Sequence, residues 1–434
     1  MLIYTPKITK RIKFIFNLIF KKLLNIDISF TSSEDFFLKS ELPKLNYSDK
    51  ALADEIFIAA AGLLYETGVK EQQLVFSSFK GNSCFYLTQN KSSFFPFDPF
   101  AAAFFLVSRY EEYLPYLKDK YDRFDAKESI AYKQHFLHKP IVNIWALEIS
   151  EIIKQKYPNF NIRLPKYKYQ PTIDIDLFYA YKLKGLIRTI GGFLKSLSEK
   201  DYKGIIERMR VLTGRIKDPF DTYDFLYNLH NKYKLKPIFF ILIGDYGQYD
   251  KNISYHNRKF QALIKALGDI AEIGIHPSYS SNENSEKLRT EMRRLSNILN
   301  KDIKKNRQHF LKLSIPDTYR NLINLDITDD YTMGYASEIG FRAGICSSFN
   351  FYDLYTETET PLCIHPFAIM EGTLKDYIRL SNDDALDYVK PIIAEIKAVN
   401  GTFISIWHNE SLSNEKRWKG WDNIYEEIIK LALS

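Results

Sequence analysis

The rhythm of apolar and polar positions changes near residue 169. Beyond it, short β-branched or apolar runs alternate with longer stretches of helical period, the pattern of an α/β domain. Residues 172–176 (TIDID) open this series as a strand. Helical stretches follow at 182–213 and 221–233. Residues 238–243 (IFFILI) are continuously apolar, as in a strand buried on both faces, and end at Gly244 and Asp245. A helix over 256–268 leads to a strand at 273–275 that ends at His276. A charged helix over 283–300 leads to Arg307 and His309. Asp317 reads as the cap of the next helix, and 340–344 (GFRAG) follows. Residues 385–399 are helical, 402–407 (TFISIW) form a strand ending at His408, and a helix over 423–433 closes the chain.

Before residue 165 the periods are less regular. Ile12, Ile15, Phe16, Ile19 and Leu23 fall at helical spacing. They predict an amphipathic helix packed on the fold, with membrane-surface contact through residues 7–24 as the alternative. Residues 25–31 read as a strand, and 54–65 as a strand or a helix. Asp98 and Pro99 suit the cap and first position of a helix reaching Glu112. Its polar-aromatic end (108–113) reads as solvated, with a position facing the second domain's site as the alternative. Residues 141–157 are helical. Pro158, Pro165 and the KYKY run at 166–169 mark a linker. A chain of 434 residues is long for one core, so two domains are expected, 1–165 of α/β or α+β type and 166–434.

Charge changes this picture in one respect. Of the net +7, the first 25 residues supply +6 through Lys7, Lys10, Arg11, Lys13, Lys21 and Lys22. The rest is nearly neutral overall, which argues against a nucleic-acid partner. Aromatics reach 15% and read mainly as core. Cys84, Cys346 and Cys363 show no CxxC spacing, so a reducing compartment is expected. Residues 12–20 are interrupted by Lys13 and Asn17 and are short for a span, with no cleavage site following. The expected location is cytoplasmic, with inner-membrane surface association as the alternative.

Candidate chemistry gathers at strand ends. Asp174 and Asp176 are two apart, so a strand turns both to one face. Like charges so close repel unless a cation or a shared proton intervenes. Asp245, His276, Arg307, His309, Arg342 and His408 also lie at or just past predicted strand ends, the face on which (β/α) barrels carry their active groups. Each also has a structural reading, as a turn, a surface pair or a hydrogen-bonded core residue. For His309 the core and ligand readings stay equally open.

In this order the stretches at 172–176 (TIDID), 274–279 (GIHPSY), 307–310 (RQHF), 329–335 (DDYTMGY) and 405–410 (SIWHNE) resemble the polysaccharide deacetylases, the NodB-homology group of carbohydrate esterase family 4. More narrowly, the whole chain resembles a Bacteroidetes-type subgroup with an uncharacterised N-terminal domain. The resemblance implies a deformed (β/α) barrel over 166–434. It implies Asp174 as base, Asp176 and His276 as metal ligands, Arg307 as orienter of the base and His408 as general acid. Ser280 stands where the family has a second metal-binding His, and His309 is the replacement on offer. Asp245, Tyr279, Arg342 and Trp407 are expected around the substrate. The implied cofactor is a divalent metal, Zn first and Co or Ni next. The implied reaction is hydrolysis of N-acetyl groups on an amino sugar or polysaccharide. The rival is a catalytically decayed module that binds glycan or assists polysaccharide biosynthesis; O-deacetylation is a third reading.

Overall fold

The computed structural model describes residues 1–434. Near the N-terminus, β1 (Leu2–Tyr4), β2 (Ser29–Thr31), β3 (Lys44–Ser48) and β4 (Ile56–Ala59) pair in parallel in the order β2-β1-β3-β4. A hairpin of β5 (Ser77–Phe79) and β6 (Asn82–Cys84) follows. The basic helix Lys10–Phe16 and its continuation Asn17–Leu23 are not turned outward. Ile12, Ile15, Phe16 and Ile19 are fully buried, and Phe16 stacks on Phe100 at 4.0 Å. The apolar face offered to a membrane is therefore packed on the protein's own core. Helix Pro99–Val107 is buried along its whole length and is capped by Asp98, which accepts from Phe100 N and Ala101 N.

The end of that helix corrects the sequence reading. Arg109, Glu111 and Glu112 are buried, not solvated. Glu112 accepts from Arg109 Nε (2.7 Å) and takes a two-pronged contact from Arg342 (Nε 2.9 Å, Nη2 2.6 Å), while Arg109 also bonds the Arg342 carbonyl. Removing one partner of a buried ion pair leaves its mate uncompensated. Glu112→Gln is expected to lower the unfolding free energy by about 3–5 kcal/mol, read as a shift in urea midpoint at unchanged slope.

The larger sheet begins with β7 (Lys168–Ile175), four residues earlier than the TIDID run suggests. It continues with β8 (Ile238–Leu242), β9 (Glu272–His276), β10 (Lys305–Asn306), β11 (Asp329–Asp330), β12 (Phe349–Asp353), β13 (Thr358–Ile364), β14 (Ile369–Met370) and β15 (Thr402–His408). The order is β12-β13-β11-β10-β9-β8-β7-β15-β14, parallel throughout except for β12. The hydrogen-bonded ladder runs from β12 to β14 without closing, so what the topology shows of the deformed (β/α) barrel implied by the resemblance is a mixed α/β fold with a nine-stranded sheet. β10, β11 and β14 are each only two residues long. Isolated bonds, such as Phe367 N–H to the Met333 carbonyl (3.1 Å), bridge the seam.

Strand alternation separates two cores. Phe239, Ile241, Phe403 and Trp407 join the large outer core, which runs from Met1 to Ala432 and is shared by both halves of the chain. Ile238, Phe240, Ile404 and Ile406 point the other way, into a small inner core with Tyr331, Phe367 and Met370. Gly274 makes room there: a Cβ on it would lie 2.5 Å from the Phe240 ring.

One buried base gives the fold an acid limit. His230 bonds Tyr425 Oη at 2.7 Å, and burial pulls its pKa down to about 4. The unfolded chain takes up a proton near pH 6.5, well before the folded one does. Stability from this site is therefore present above about pH 6.5 and is lost as pH falls towards 4. Between pH 7 and pH 5 the loss is about 2 kcal/mol, and His230→Gln should flatten that part of the pH–stability curve.

Candidate functional site

Parallel register brings the strand ends together. His408 lies opposite Asp174 on neighbouring β15 and β7, Phe240 of β8 flanks Asp174 on the other side, and His276 ends β9. Asp174, His276 and His408, with Asp176 and His309, open into one cavity of about 320 Å³.

Asp174 is held from below. Arg307 Nη1 donates to its Oδ1 (2.8 Å) and to Thr172 Oγ1 (2.7 Å), while Nε donates to the Tyr331 carbonyl (3.0 Å). The guanidinium also stacks over Phe240 at 4.4 Å. A fully buried cation thus fixes one carboxylate oxygen and leaves Oδ2, 3.8 Å from His276 Nε2, facing the cavity residues.

Around Asp176 the donors are too few. Its Oδ1 lies 3.2 Å from His276 Nε2, and its Oδ2 lies 3.3 Å from His309 Nε2 and 3.7 Å from His408 Nε2. His276 Nδ1 is 2.6 Å from the Arg307 carbonyl, which only accepts, so the proton of the neutral ring belongs on Nδ1. That leaves the Nε2 lone pair aimed at another acceptor, and both atoms are buried without a hydrogen-bond partner. Two acceptors at this separation fit a shared cation.

His309 completes the corner: Asp176, His276 and His309 each offer an atom within 4.8 Å of the others. Its Nδ1 is bonded to Asp250 Oδ1 (2.8 Å), which orients the ring as carboxylates do behind metal-binding imidazoles. Burial pulls the His309 pKa down, but Asp176 and Asp250 outweigh it and hold the ring near 9. Burial pushes the Asp176 pKa up, but the charge on His309 leads the effects that bring it well below the usual range. The corner draws positive charge onto itself. Ser280 is elsewhere, in a turn where its Oγ meets Ser278 Oγ at 3.3 Å.

His408 stands across the cavity. Glu371, wholly buried, accepts both its backbone N–H (2.9 Å) and its Nδ1 (2.7 Å). Burial lowers the His408 pKa, but Glu371 and the two aspartates raise it well above the ordinary value. The ring is thus held as a proton donor with Nε2 towards Asp176.

Four expected substrate contacts lie outside the cavity. Trp407 precedes His408 on a strand, so it points to the opposite face and packs on Tyr425 at 4.7 Å; the tryptophan that lines the cavity is Trp418. Arg342 is committed to Glu112. Tyr279 packs against Tyr249 (4.5 Å) behind Phe310, the aromatic that reaches the wall. Asp245 is exposed and pairs with Arg294 at 2.9 Å. Asp250, Glu371 and Arg123 were not anticipated. Arg123, from the first half of the chain, donates to the Phe310 carbonyl (2.7 Å) and lines the cavity.

Comparison with known proteins adds distant likenesses. Residues 1–158 match a family of unknown function, DUF7033. No curated protein matches. Among solved structures, a protein from Mycobacterium smegmatis assigned to the polysaccharide deacetylases aligns over 61% of this chain and 84% of its own, at 10% identity and a TM-score of 0.40. Puue allantoinase aligns over 60% and 84%, at 12% identity and a TM-score of 0.37. A mutant of a CE4 family pseudoenzyme with restored enzymatic activity aligns over 61% and 64%, at 11% identity and a TM-score of 0.29. Likeness this remote transfers no chemistry.

Proposed function

We propose that this protein is a metal-dependent hydrolase that removes acetyl groups from the nitrogen of an amino sugar or glycan. The observation that carries this reading is the pair of buried, unpartnered acceptors, Asp176 Oδ1 and His276 Nε2, beside an aspartate locked by a buried arginine.

Asp176, His276 and His309 are the residues that would hold the metal, with Zn²⁺ suited to one carboxylate and two imidazoles and Co²⁺ or Ni²⁺ as alternatives. A divalent cation there supplies carbonyl polarisation and a more acidic water. The protein's own groups do the rest. Asp174 takes a proton from the attacking water on its free oxygen, with Arg307 fixing its direction. His408, kept protonated by Glu371, gives a proton to the departing amine. Trp418, Phe310 and Tyr377 offer apolar surface to a sugar ring, while Arg123 and Arg417 supply donors at the wall. The rival reading of a decayed module draws on Ser280, and His309 removes the need for a His at that position.

The test is acetate release from N-acetylated amino sugars and their oligomers by protein loaded with Zn²⁺, Co²⁺ or Ni²⁺. Release that depends on the metal supports the reading. A fully loaded protein that releases no acetate across that panel overturns it in favour of the binding module.

A further inference from the structure

The connection between β7 and β8 carries three helices, and the first two, Gly185–Ser198 and Tyr202–Leu212, turn their apolar stripes to solvent. On the first, Leu186, Ile187, Ile190, Leu194 and Leu197 recur at helical spacing and are exposed, Ile187 at 87% and Leu194 at 62%. On the second, Ile206, Met209 and Leu212 do the same. Among buried residues the first helix contributes only Ser196, and the second only Gly204 and Val211. Nine of the 22 large apolar side chains exposed on this protein fall within residues 186–212, so this is a patch and not ordinary scatter.

The charge around the patch is predominantly positive. Residues 182–217 contain ten basic and three acidic side chains, a net +7 equal to that of the whole chain, so everything else sums to zero. Arg188 and Arg208 are used internally: Arg188 bonds the Lys251 and Asn252 carbonyls, and Arg208 stacks over Tyr181. Lys200, Lys203, Arg210 and Arg215 are exposed and have no carboxylate within ion-pair reach. Protein interfaces are depleted in lysine, whereas an apolar helical face rimmed by free cations matches a bilayer of anionic headgroups.

We propose that this helical hairpin docks the protein on an anionic membrane surface, its leucines and isoleucines entering the acyl boundary and its free cations meeting lipid phosphates. No helix is long and apolar enough to cross a membrane, so the contact is with one leaflet. The hairpin is tied to the cavity rim, where Glu207 pairs with Lys416 at 3.5 Å beside the cavity-lining Arg417 and Trp418. The proposal is independent of the hydrolase reading.

Vesicle co-sedimentation of the full chain tests it. Phosphatidylcholine vesicles containing phosphatidylglycerol are expected to bind at least about 10-fold more protein than phosphatidylcholine alone, with the difference shrinking at high salt. Ile187→Asp combined with Leu194→Asp is expected to reduce binding about 10-fold at unchanged melting temperature, since both positions are exposed. Absence of binding to the anionic vesicles, or binding untouched by the double variant, overturns the proposal. So does a stable dimer in sedimentation that the same variant dissociates, because the patch would then be covered by a second copy.

Discussion

Asp174→Asn is expected to lower acetate release by about 10²–10⁴-fold, the usual contribution of a positioned base, while metal content stays at the wild-type level. The amide is isosteric with the carboxylate, and its oxygen can still accept from Arg307 Nη1, which now sits 2.8 Å from Oδ1. What it cannot do is take a proton from water. The loss should therefore fall on kcat, with KM little changed, because the wall residues that meet a sugar are untouched. Arg307→Lys separates holding from reacting. A lysine cannot reach Thr172, Asp174 and the Tyr331 carbonyl at once, so activity should fall further than loss of one hydrogen bond implies, and the melting temperature should fall with it. Wild-type turnover in Asp174→Asn would remove the base from Asp174.

The strand-end residues were the legible part of this molecule. Alternation and apolar runs located β7, β8, β9 and β15, and Asp174, Asp176, His276 and His408 follow from their ends. The same alternation, applied one residue further, separates Trp407 from His408, since neighbours on a strand face opposite ways. Glu371 escaped for a different reason. It follows β14, a strand of two residues with no period to detect. Asp250 lies in a loop, where only the general need of a metal-binding imidazole for an orienting carboxylate points to it. Arg342 illustrates the limit of local reading. Its partner Glu112 is 230 positions away, and no spacing rule links a helix end in one half of the chain to a loop in the other.

His309→Ala should cost more metal affinity than any change outside the corner formed with Asp176 and His276. The donor atoms of those three all lie within 4.8 Å of one another. Asp250→Asn tests the layer behind: the amide can still meet His309 Nδ1 but no longer stabilises charge on the ring, and about 10–100-fold weaker binding is expected. His309→Ala should exceed that range. Competition with a chromophoric chelator reads both without any assay of turnover. Ser280→His is the informative partner. Position 280 looks into a turn where Ser278 Oγ also donates to Glu291 at 2.5 Å, and its side chain meets Ser278, not Asp176. An imidazole there should not rescue His309→Ala. Rescue would mean that the turn can swing to present residue 280 to the metal, and that the third ligand is a matter of which strand end supplies it.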